Sequence, residues 1–200
     1  MSRLSDNISR FIDTTQLDTA RRNYEHATAQ IRRDPNLSDT GKRNQIAKAH
    51  IKAANEIHEL RQQFKANVSA EKARIQRRVF GPGSADPNDI VSHRDALTRA
   101  TALTTQGEAL QLLEWAEISG DTALSRAVAF QAHRSNWDEA IAEHDRQHPG
   151  AASSIQELSD LPELSGENGA IAESIVFKLT AADELRTTDD SGIEHLAVDQ

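Results

Sequence analysis

The stretch from Asp39 to Phe80, DTGKRNQIAKAHIKAANEIHELRQQFKANVSAEKARIQRRVF, decides the fold class. It contains no proline, and no glycine after Gly41. Its apolar positions are Ile46, Ala53, Ile57, Leu60, Phe64, Val68, Ile75 and Val79. From Ile57 onward they recur at helical spacing, with a stutter near Val68. Ala, Glu, Lys, Arg and Gln, all strong helix formers, fill most of the remaining positions. The pattern predicts one helix of roughly 60 Å at 1.5 Å per residue. That is far longer than the usual three turns, and it points to a coiled coil or a helical hairpin.

Working backward, Asp34-Pro35-Asn36-Leu37-Ser38-Asp39 is a turn by composition, and Ser38 or Asp39 can cap the long helix. Residues 5–33 read as a helix broken near Asp13-Thr14-Thr15. After the break, Leu17, Ala20, Tyr24, Ala27 and Ile31 form a two-heptad seam, which a Thr15/Asp18 pair can start. This helix is about half as long as its successor. Folded back on it, it leaves Phe64, Val68, Ile75 and Val79 without a local partner. They can meet a second copy or fold onto the C-terminal half; oligomerisation is the favoured expectation, with Ile57, Leu60, Phe64, Val68 and Ile75 as the seam of a homo-oligomer. Four such side chains exposed would cost several kcal/mol at about 25 cal/mol per Å².

Working forward, Gly81-Pro82-Gly83-Ser84-Ala85 marks a boundary. Asp86-Pro87-Asn88-Asp89 then reads as an N-cap, proline at the first helical position and an acidic third residue. Four helices follow. Their expected inner residues include Ile90, Leu97, Leu103, Leu113, Trp115, Ile118, Val128 and Trp137, and Gly120 and Asn136 sit at the turns. Trp115 and Trp137 bracket the Gly120 hairpin, where core packing is expected. A short helix from Ser154 carries a Ser154/Glu157 capping box. A last helix spans 169–186, with Ile171, Ile175, Leu179, Ala182 and Leu185 on one side, and the acidic end from Thr187 reads as mobile. The expectation is an all-α protein. A basic long-helix hairpin (1–80) is followed by a Gly/Pro linker (81–86), an acidic helical bundle (87–150) and an acidic C-terminal helix and tail (151–200).

Charge divides at the linker. Residues 1–80 carry a net +7 and residues 81–200 a net −15, within a chain total of −8. The basic half suits an acidic protein surface, and Arg74, Arg77 and Arg78 are the candidate partner-binding groups. Nucleic acid is less favoured. The basic residues are interleaved with carboxylates, and residues 1–80 offer few rings for base stacking.

Catalytic chemistry finds no foothold. The chain has no cysteine, which excludes disulfides, thiolate metal sites and a thiol nucleophile. It has no phosphate loop, no Gly-x-Gly-x-x-Gly and no Gly-x-Ser-x-Gly. His144 and His148 stand at i and i+4, but the residue after the first is Asp145 rather than glutamate, and Pro149-Gly150 ends the helix at once. They read as a solvent-facing helix end. No catalytic, cofactor or metal residue is assigned. No apolar run approaches the twenty residues of a membrane span, and Met1 to Asp6 lack the apolar core of a secretory signal. A cytoplasmic protein without membrane contact is expected.

The 34–43 turn, DPNLSDTGKR, leading into a long Ala/Glu/Lys/Arg helix, resembles segments of helical structural and assembly proteins of tailed bacteriophages. That resemblance implies a scaffolding-like or minor virion component in the host cytoplasm or the particle. Such a protein self-associates through its helical region and touches a shell or connector protein with a charged end. The alternatives are a helical adaptor or chaperone that docks a partner on residues 107–148, and a nucleic-acid-binding protein that uses the basic half.

Overall fold

The computed structural model describes residues 8–164 and 166–198, apart from the side chain of Asn168. Among these residues the chain is all-helical, with nine α-helices, one 3₁₀ turn and no strand. The helices are α1 (Thr14–Arg33), α2 (Asp39–Phe80), α3 (Pro87–Thr101), α4 (Gln106–Ser119), α5 (Thr122–Ser135), α6 (Asp138–Gln147), α7 (Ala151–Ser159), α8 (Gly166–Val176) and α9 (Asp190–Val198). The part of the expected first helix that precedes Ile8 lies outside the described residues. Two compact units form. One takes the described chain up to Val68 and from Pro162 onward, and the other takes Ser69–Leu161. The division falls within α2, so the Gly/Pro segment at 81–86 lies inside the second unit.

In the first unit, Asp13 caps α1 by accepting the Thr15 N–H at 3.0 Å, in place of the expected Thr15/Asp18 pair. Ser38 Oγ accepts the Gly41 N–H at 3.1 Å at the start of α2. The C-terminal segment departs from its expected form. The helix expected over 169–186 ends at Val176, and the chain runs on to a 3₁₀ turn at Asp183–Leu185. Tertiary contacts override local periodicity here. Arg21 donates to the carbonyls of Val176 and Lys178, and the Tyr24 hydroxyl accepts the Ala182 N–H at 3.0 Å. Leu185 is thereby delivered to a cluster with Ile46, Ala47 and Ile193. The tail read as mobile forms α9 because Ile193 has that cluster to enter. Ile171 and Ile175, expected on the inner side, face solvent.

The second unit is built around α5. Ala127, Val128, Ala129 and Ala132 are fully buried, and small side chains let α3, α4 and α6 approach closely through Ala96, Ala100, Ala109, Leu113, Ala116 and Ala140. The end of α2 adds Ile75, Val79 and Phe80, packed with Ala129, Ile155 and Leu158. The caps explain the boundaries. Asp86 accepts the Asn88 N–H at 2.8 Å, as its Asp-Pro-Asn-Asp sequence predicts. Thr105 and Glu108 make a reciprocal capping box on α4. Gly120, at φ 67°, closes α4, and Asp121 caps α5. Asn136 ends α5 in the left-handed conformation and does not cap α6. The expected Ser154 box is absent, because α7 starts three residues earlier, where Asp145 Oδ1 accepts the N–H groups of Gly150 and Ala152.

Candidate interaction site

The expected seam is covered by the chain itself. Ile57, Leu60, Phe64 and Val68 are buried in the first unit and Ile75 in the second. Phe64 lies between Phe11 and Phe177, with ring centroids 6.2 and 5.7 Å away. The expectation of an unpartnered stripe is therefore corrected. Residues before α1 and after α8 supply the cover that α1 alone is too short to give, and α5 and α7 cover Ile75 and Val79. The three arginines are also engaged within the chain. Arg74 forks onto Glu71 at 2.7 and 2.8 Å, Arg78 pairs with Glu157 at 2.5 Å, and Arg77 donates to the Ala73 carbonyl at 3.2 Å.

What the structure leaves exposed lies elsewhere. Helix α4 buries Ala109, Leu113 and Ala116 and turns Gln111, Glu114, Trp115 and Ile118 outward. Trp115 is 63% exposed and Ile118 78%. One turn apart, they form an apolar pair on a single helix face. Trp115 was expected in the core. The Trp137 side chain does pack against that core, whereas Trp115 does not. Either of two apolar sets on α4 could point inward, and the compact set wins because α5 is alanine-lined and comes close.

The inner side of α4 is held to α6. Glu139 N–H donates to Gln106 Oε1 at 3.3 Å, Gln147 Nε2 to the Leu113 carbonyl at 3.4 Å, and Arg146 to Glu117 at 2.8 Å. Starts meet starts and ends meet ends, so α4 and α6 lie side by side in the same direction. Together they carry seven carboxylates and one arginine. Arg146, forked onto Glu143 and bonded to Glu117, is held charged, and hydrogen bonding to it holds Glu143 below the usual carboxylate range. Backbone N–H groups of Thr104 and Thr105 do the same for Glu108. Glu114 pairs with no cation among the described residues. The outer face of α4 around Trp115 is therefore apolar with Glu114 next to it, while α6 and its carboxylates are bonded to the other side of the helix.

Beneath this surface is a polar network. Ser125 Oγ lies 2.9 Å from His144 Nδ1, 3.2 Å from His148 Nε2 and 3.4 Å from Gln147 Oε1. Ser125 and His144 are each 2% exposed, which corrects the solvent-facing reading of His144. Burial lowers its pKa to about 4, and the nearby His148 and Arg126 act in the same direction. A neutral imidazole beside a hydroxyl is the first requirement of an activated serine. Here the pair is closed off from any substrate, and it ties α5 to α6.

Among the described residues no group of three or more His, Asp or Glu is placed to hold a metal, and no helix is long and apolar enough to cross a membrane. Among the described residues the first unit has clefts on its surface. One, of about 330 Å³, lies between α1 and α2 around Gln16, Glu56, Glu59 and Gln63, and a second, of about 290 Å³, is bounded by Arg21, Tyr24, Arg32 and Lys178. In the second cleft Arg32 is already forked onto Glu184 and Arg21 onto backbone carbonyls. Comparison with protein-family models, with curated proteins and with solved structures finds no match to this chain.

Proposed function

We propose that this chain is a non-catalytic protein-interaction module that docks a partner on the outer face of α4, within residues 107–148. One observation carries the reading. Trp115 stands in solvent beside Ile118 on a helix whose opposite side is pinned to its neighbours. Exposed tryptophan on a rigid element is the residue type that most often dominates binding energy at protein interfaces. Its removal from water on docking is worth about 25 cal/mol per Å². Self-association along α2 is not part of the proposal, because those side chains are already covered. Particle assembly, the setting implied by the resemblance at residues 34–43, would on this reading proceed through docking by the second unit.

The test is site-specific photo-crosslinking in the native cell. A photoreactive residue at Ile118 should link to one partner species, and the link should vanish with Trp115→Ala. A control at exposed Glu163 should not form it. Equal products from both positions would overturn the reading.

A further inference from the structure

The charge division of the sequence is answered inside the first unit. There the basic helices α1 and α2 hold the acidic C-terminal arm, residues 166–198. We propose that the surface of α1 and α2 that holds this arm also takes the arm of a second copy, so that two chains join by exchanging arms. The inference is independent of the docking reading, and it involves no contact of one α2 seam with another.

The arm is held as a bound segment is held, without a core of its own. Its buried side chains among the described residues are Glu173, Phe177, Leu185 and Ile193, and α2 receives each of them. Glu173 takes Arg61 and Lys65, Phe177 packs on Phe64, and Leu185 and Ile193 enter the cluster with Ile46 and Ala47. The main chain of the arm is recognised as well. Arg21 donates to the carbonyls of Val176 and Lys178, and the Tyr24 hydroxyl accepts the Ala182 N–H. Arg43 donates to the Glu184 carbonyl at 3.1 Å, and Arg32 forks onto the Glu184 carboxylate.

Charge selects the occupant. Residues 14–68 carry ten cations against six carboxylates. Five of those cations, Arg21, Arg32, Arg43, Arg61 and Lys65, bond the arm. Residues 166–198 carry seven carboxylates against Lys178 and Arg186. Opposite fields of this kind select a partner and speed its encounter. A fitting segment must also place Phe, Leu and Ile at the spacings of Phe177, Leu185 and Ile193. A second copy carries all of these features.

The connection permits the exchange. Leu161 is held in the second unit, packed against the cluster of Phe80, Ile155 and Leu158. The chain enters the first unit at Pro162, which fixes its own φ and disfavours a helical Leu161. Its turn into α8 depends on glycine. Gly166 has φ 84°, and a Cβ on Gly169 would lie 2.5 Å from the Glu163 carbonyl oxygen. Opening this tight turn frees the arm to reach a second α1–α2 surface. The same contacts hold the arm in either place, so concentration decides between them. Exchange competes once copies approach the effective concentration of a short tether, about millimolar.

The experiment uses two full-length variants, Arg32→Cys and Glu184→Cys. The chain has no cysteine, so each variant carries a single thiol. The native pair is 2.7 Å apart and partly exposed, and its loss leaves the buried anchors in place. The variants are equilibrated together at about 1 mM and treated with a short bis-maleimide. A covalent heterodimer should form in the mixture and from neither variant alone. The doubly substituted chain, at high dilution, should link within itself and so show that the reagent spans the pair. Gly169→Ala in both variants closes off the tight turn and should raise the heterodimer several-fold, with helicity unchanged. No heterodimer, while the doubly substituted chain links, would overturn the proposal. Equal dimer from one variant alone would also overturn it, as would a yield that Gly169→Ala leaves unchanged.

Discussion

Ser125 Oγ lies 2.9 Å from Nδ1 of His144 and 3.2 Å from Nε2 of His148, so a single hydroxyl joins α5 to the last turn of α6. The hydroxyl has one proton to give and two lone pairs to accept with, so both rings can bond to it only if no more than one of the nitrogens facing it is unprotonated. Protonating His144 would place a charge in a site that is 2% exposed, beside His148 and Arg126, with Asp145 as the opposing charge.

Stability of the second unit should therefore fall in acid. The His144 pKa is about 4 when folded and 6.5 in its ordinary state. Its stabilising contribution is full above pH 6.5 and is lost as pH falls from 6.5 toward 4. The difference corresponds to about 3 kcal/mol. Burial also lowers the pKa of His93 and His133, which adds the same sign. Urea midpoints by circular dichroism at pH 7.5 and 4.5 should differ clearly, and by less in His144→Leu. A midpoint that does not move would refute this account.

Phe64→Asp should unfold the first unit. The ring is packed between Phe11 and Phe177, and a carboxylate there loses both contacts and its water. The expected loss is about 4 kcal/mol or more. Helicity and solution mass read the outcome, and a fully folded variant would contradict the packing.

Glu173 predicts an asymmetry. It is 4% exposed and takes Arg61 at 2.6 Å and Lys65 at 3.1 Å, each of which is more than a third exposed. Removing the cations strands a buried carboxylate, whereas removing the carboxylate leaves two groups that can turn to water. Arg61→Ala with Lys65→Ala should cost about 3 kcal/mol, and Glu173→Gln about 1 kcal/mol. Chemical denaturation of the three chains tests the order, which the reverse ranking would refute.

Gly120 and Gly107 should respond in opposite directions to alanine. A Cβ at either position meets open space, so packing drops out of the comparison. Gly120 has φ 67° and should lose about 1 kcal/mol, while Gly107, inside α4, should gain about 0.5 kcal/mol. Thermal midpoints measure both, and equal shifts would rule out the conformational explanation.

Local chemistry made much of the fold legible. Helix class, the 34–38 turn, the Asp86-Pro87 start of α3 and the Gly120 stop all follow from interactions within a few residues, where side chain and backbone meet whatever the rest of the chain does. The Thr105/Glu108 box is equally local, and its residues can be read from the sequence at the right spacing. The 187–198 segment was misread because a short acidic stretch has too little intrinsic helix propensity. It forms α9 once Ile193 can enter the cluster with Ile46 and Leu185.

The sequence by itself determined that the chain is helical, how long α2 is and where charge changes sign, since periodicity, capping and composition are properties of the chain alone. Only the tertiary structure decided which apolar residues are used up and which remain. Phe64 and Ile75 carry the same helical signature as Trp115 and Ile118. Burial depends on what segments distant in sequence bring to each face. Phe11 and Phe177 came to Phe64, Ala129 and Ile155 came to Ile75, and no segment of the described chain covers Trp115.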